Sequence, residues 1–170
     1  ANIHPLSAKL LWQDTDVLVE QVGLSDGKVQ VKMGRSRGNA LIAVYDKANP
    51  NAEDAKVLWS WHLWCTPVPQ IIECATSIYT GNNYKVMDRN LGATTSEPNL
   101  GTTQGLHYQF GRKDPFSGSL SYDGERTILY DVRSSTSILK AEIIDEAIQI
   151  RQALNFPDIY FLRHSDQIRF

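Results

Sequence analysis

In the first third of the chain, apolar residues come in short runs, each closed by turn-forming residues. Leu10, Leu11 and Trp12 end one run before the polar stretch 13–16. Val17, Leu18, Val19 and Val22 make the next. Asp26-Gly27 follows as a turn, because this pair readily takes the positive φ of a tight hairpin. Beyond it, Val29, Val31 and Met33 alternate with Gln30 and Lys32, the two-residue period of a half-buried strand. After a second turn at 34–39, residues 40–45 are apolar on both faces, as a central strand requires. Short strands at this spacing predict a mainly β protein, with an antiparallel β-sandwich over residues 1–93 and no βαβ units.

The densest apolar segment is 57–64, which holds three of the four tryptophans. In a strand, Val57, Trp59, Trp61 and Leu63 point one way, while Leu58, Ser60, His62 and Trp64 point the other. The first face is wholly apolar and the second is mixed. This pattern predicts another central strand, with Trp59 and Trp61 buried beside Ile42 and Val44 in the sandwich core. A second reading makes Trp59, Trp61 or Trp64 an aromatic platform for a glycan or partner, since an exposed indole is costly unless it binds something.

The second half differs in texture. Residues 84–88 can form one more strand before 89–94 break it, and 94–105 are rich in Thr, Ser, Pro, Asn and Gly. Residues 94–170 therefore read as a loop-rich excursion. Its Leu106, Tyr108, Phe110 and Phe116 are available as anchors on the sandwich, but its small polar residues cannot build a core of their own. One amphipathic helix is predicted at about 138–154. There Ile143, Ala147, Ile150 and Leu154 recur at three- and four-residue steps, with serines and threonines before them and Asn155-Phe156-Pro157 after. Ile159, Phe161 and Ile168 remain for one or two terminal strands.

Composition excludes more than it selects. The chain has 170 residues, 42% hydrophobic and 21% charged, as an ordinary globular domain does. A net charge of −2 supplies no basic field for nucleic acid. No apolar run is long enough to span a bilayer, so no transmembrane segment is expected. Cys65 and Cys74 are separated by eight residues that include Pro67 and Pro69. They read either as a disulfide stapling this loop, worth about 2–3 kcal/mol, or as two unrelated thiols. Neither has a partner at zinc-ligand spacing.

Little points to catalysis. His4, His62, His107 and His164 occur in four different contexts, and no nucleophile-elbow, zinc-protease or phosphate-loop motif is present. No catalytic residue, metal site or cofactor is expected. Asp88-Arg89, between a strand and a glycine turn, reads as an ion pair that pins the turn. An active-site reading of it lacks a third partner.

Four ordered segments carry a resemblance. They are 38–43 (GNALIA), 59–64 (WSWHLW), 87–93 (MDRNLGA) and 105–116 (GLHYQFGRKDPF). Together they resemble the signature of the fimbrillin-like surface proteins and lipoproteins of Bacteroides and Porphyromonas relatives, in which tryptophan usually stands where this chain has Phe110. The resemblance implies an exported protein, at the bacterial cell surface, outer-membrane-associated or fimbrial. It implies structural or adhesive work, as an accessory or tip subunit, without enzymatic activity. The implied partners are other fimbrial or surface subunits and a host protein or glycan. A carbohydrate-binding module built on the tryptophan strand is the alternative. An oxidising compartment would favour the Cys65–Cys74 staple. Asp88, Arg89, Arg112 and Asp114 fall within these segments and could pair across the contact between them.

Overall fold

The computed structural model describes residues 3–74, 81, 83–98, 101–118, 128–130, 136–138, 140–144 and 153–163. The protein is mainly β, with eleven strands among the described residues. The main sheet has the order β5-β4-β1-β8-β9, from β5 (Val57–Cys65), β4 (Gly38–Tyr45), β1 (Ser7–Gln13), β8 (Ile128–Tyr130) and β9 (Thr136–Ile138). All its described pairings are antiparallel. The excursion thus contributes β8 and β9 to the main sheet. Three two-stranded sheets complete the fold: β2 (Val19–Ser25) with β3 (Lys28–Met33), β6 (Ile71–Cys74) with β7 (Tyr84–Met87), and β10 (Lys140–Ile144) with β11 (Ile159–Arg163). No helix among the described residues is long and apolar enough to cross a membrane.

The doubly apolar segment 40–45 is central, as its pattern demands: every residue of β4 is buried, between β1 and β5. Two cores lie on its two faces. On one, Ala40 and Ile42 join Leu10, Leu18 and Val19, with Val22, Val29 and Val31 of the β2–β3 hairpin packed over them. On the other, Leu41 joins Trp12, Leu129 and Leu106. Leu10 and Trp12 would share a face in a regular strand, yet they serve opposite cores. A bulge resolves this: Leu10 pairs with Ile42 and Trp12 with Leu41, so Leu11 is the extra residue that reverses the alternation. The hairpin turn is Asp26-Gly27, both at positive φ (52° and 70°), the geometry that matches strand twist.

Two expectations are corrected here. Among the described residues the tryptophan strand β5 is an edge of the main sheet, not its centre. The helix expected at 138–154 begins instead as strand: Ile138 ends β9, and Lys140–Ile144 pairs in parallel with β11. A short run such as Ala141-Glu142-Ile143-Ile144 fits a two-residue period as well as a helical one, and its β-branched residues favour the strand when a partner is available. Residues 145–152 of that expected helix lie outside the described ones.

Candidate functional site

The four segments that carry the resemblance meet at β5. Ser60 and His62 stand on its mixed face, and this is the face the fold covers. Ser60 is 3% exposed, whereas Trp59 and Trp61 on the apolar face are 43% and 39% exposed. The expected burial of these two tryptophans is therefore reversed. The register Leu63↔Ala40, Trp61↔Ile42, Trp59↔Val44 puts them on the side of the β2–β3 hairpin. The hairpin's core reaches Leu63 and Cys65 on β5 and does not include Trp61 or Trp59. Ile42 and Val44 are buried as expected.

Asn39 organises the covered side. Its backbone N–H donates to Asp14 Oδ1 (2.7 Å), and its side-chain amide donates to Asp14 Oδ2 and to the Gly92 carbonyl, both at 2.8 Å. Its Oδ1 lies 3.0 Å from His62 Nε2. An amide oxygen only accepts, so this contact requires His62 to carry its proton on Nε2. Gly92 sits at φ 85°, and a Cβ there would strike the Leu106 side chain, so only glycine brings this turn against the strand. Burial raises the Asp14 carboxyl above its ordinary range, against the hydrogen bonds from Asn39 and Thr15. Burial lowers the His62 imidazole, opposed by the charge of Asp114.

A second group sits at Ser60. Its hydroxyl donates to Asp114 Oδ2 (2.7 Å), and the Lys113 ammonium donates to Asp114 Oδ1 (2.6 Å), Ser60 Oγ (2.5 Å) and the Ser60 carbonyl (3.0 Å). The same ammonium lies 4.6 Å from the centroid of the Trp59 ring. Lys113 thus reaches around the edge strand from its covered side to its exposed side. Trp64 is half-buried, stands on the opposite face of β5 from Trp59 and Trp61, and donates from Nε1 to the Ala93 carbonyl at 3.0 Å.

The candidate ion pairs distribute differently from the expected cross-contact. Asp88 and Arg89 pair with each other in a two-pronged contact at 2.8 Å, their side chains nearly covered, and Arg89 also donates to Thr66 Oγ1 (3.0 Å). The hydrogen bond from Arg89 holds the Asp88 carboxyl below its ordinary range. Asp114 pairs with Lys113. Arg112 donates to the Phe156 carbonyl (2.7 Å) and lies 5.0 and 5.4 Å from the ring centroids of Phe116 and Phe161. Of the expected anchors, Leu106 packs on the second core and Phe116 is buried. Tyr108 and Phe110 are exposed, the latter fully; Phe110 lies in the turn closed by Arg112 N–H to the Gln109 carbonyl.

Cys65 and Cys74 are free thiols, so the staple is not formed in this structure. Cys65 packs on the first core, whereas Cys74 pairs with Tyr84 in the separate β6–β7 sheet. Among the described residues no group of three or more His, Cys, Asp and Glu could hold a metal ion. The sequence reading gave no site role to Asp14, Asn39, Ser60, His62 or Lys113. The usable signal was Ser60 and His62 themselves, because polar groups on an otherwise apolar strand need buried partners. Comparison with protein-family models, curated proteins and solved structures finds no significant match.

Proposed function

We propose that this chain is a cell-surface structural and adhesion protein, a fimbrial accessory or tip subunit, that works by binding and not by catalysis. Its recognition surface is the stripe formed by Trp59 and Trp61. The observation that carries this reading is the exposure of both indoles on a sheet edge whose mixed face is closed off. Adjacent exposed tryptophans are unfavourable in water and are the residues that most often anchor an interface. The resemblance supplies the surface location. The segments behind it converge on the lock at Asn39 and Ser60, which accounts for them as scaffold and leaves the outer stripe free to bind.

The test is attachment to host-cell surfaces by particles coated with the purified chain. The double variant Trp59→Ala/Trp61→Ala should abolish attachment while unfolding cooperatively. Undiminished attachment would refute the assignment of this surface. Protection from protease added to intact source cells would refute the location. The second reading, a carbohydrate-binding module with the tryptophan strand as platform, is favoured by the same exposure and by the openness of the stripe.

A further inference from the structure

We infer that the ligand of the Trp59–Trp61 stripe is an uncharged, extended glycan chain whose sugar rings stack on the two indoles. This rests on the reading of the stripe as the recognition surface and adds the chemistry of what it takes.

Three features of the edge select this occupant. First, the geometry is linear. Two side chains two residues apart on one strand face stand about 6.6–6.8 Å apart along the strand. A ligand that engages both must present flat apolar faces in succession along a line. A glycan chain does so, because the C–H faces of its rings are weakly electropositive and match the negative π face of an indole. Its hydroxyl rim stays in water beside the open stripe.

Second, the backbone route is obstructed. An added peptide strand needs the free hydrogen-bonding groups of an edge. Here the Ser60 carbonyl is already taken by Lys113, whose ammonium also sits against the neighbouring Trp59 ring. At this position the edge is closed to an added strand, and the exposed indoles leave the face of β5 as the recognition surface.

Third, the cation that touches the stripe has no capacity for an anion. An ammonium has three donors. Those of Lys113 go to Ser60 Oγ, the Ser60 carbonyl and the Asp114 carboxylate, which also balances its charge. A sulfated or carboxylated sugar would gain no partner from this lysine and would face buried Asp114 behind it. What Lys113 does contribute is orientation, since a cation over one face of the Trp59 ring holds that ring still before ligand arrives.

The experiment is affinity electrophoresis of the full chain in gels containing neutral soluble polysaccharides (galactomannan, xyloglucan, mixed-linkage glucan) or acidic ones (polygalacturonate, heparin). Tryptophan fluorescence titration gives the affinities. Retardation by a neutral polysaccharide is expected, unchanged between low and high salt because no charge pairing is screened. Trp61→Ala should weaken it about tenfold or more and Trp61→Phe less, as for a central aromatic anchor. Absence of retardation by every neutral polysaccharide overturns the inference, and so does binding confined to acidic ones with steep salt dependence. If glycan binding fails but tryptophan-dependent attachment to protein-coated surfaces persists, the ligand class is wrong and the surface assignment stands. Glycan binding indifferent to Trp59→Ala and Trp61→Ala refutes both.

Discussion

Asn39→Ala tests the lock most directly. The side chain is 1% exposed and makes three hydrogen bonds that water cannot readily replace. Losing the bond to the Asp14 carboxylate costs about 1.5–3 kcal/mol, as for hydrogen bonds to charged groups. Losing those to the Gly92 carbonyl and His62 costs about 1 kcal/mol each. Because all three partners are then left under-satisfied, the total comes to about 4 kcal/mol, a large share of the roughly 5–15 kcal/mol that stabilises a typical domain. Urea unfolding followed by circular dichroism and fluorescence measures the loss. Hydrogen exchange locates it: the amides of Leu106, His107 and Phe116, bonded to Leu91, Phe116 and His107, should lose protection before those of β4. A loss below about 1 kcal/mol, or uniform loss of protection across β4 and this segment, would refute the view that Asn39 ties them together.

Truncating the exposed indoles should cost little: about 1 kcal/mol for Trp59→Ala or Trp61→Ala, against about 3–5 kcal/mol for the buried Trp12→Ala. Equal losses in urea midpoint would mean the stripe is covered. His62 has its folded pKa pushed below its unfolded value of about 6.5 by burial. The unfolded chain therefore binds the proton first, and stability should fall as pH drops below about 6.5 toward that depressed value. His62→Gln keeps a donor for Asn39 and should flatten that part of the stability profile; an unchanged profile would rule out His62 as its cause. Burial of Asp14 acts with the opposite sign at lower pH, since its raised pKa favours proton uptake by the folded state. Cys65 and Cys74 should each accept one alkyl group in the native protein without reductant, read by intact mass. Alkylation only after reduction would show a bridge that this structure lacks.

What the sequence determined by itself is the local part of the fold. The alternation of Val29, Val31 and Met33, the Asp26-Gly27 turn and the doubly apolar run 40–45 set β3, its hairpin and the central strand, because period and turn chemistry act over a few residues. The 57–64 pattern fixed that β5 is a strand and which residues share each face. It could not fix which face is inside. That was decided by partners distant in sequence: Asp114 and Lys113 for Ser60, Asn39 for His62, and Ala93 for Trp64. Once these polar groups are satisfied, burying the mixed face carries little penalty, and the β2–β3 core extends only to Leu63 and Cys65 on the other. The same limit explains 140–144, where a short apolar run took the period its parallel partner β11 imposed. Hydrophobicity predicted a buried tryptophan stripe; long-range hydrogen bonding left it on the surface.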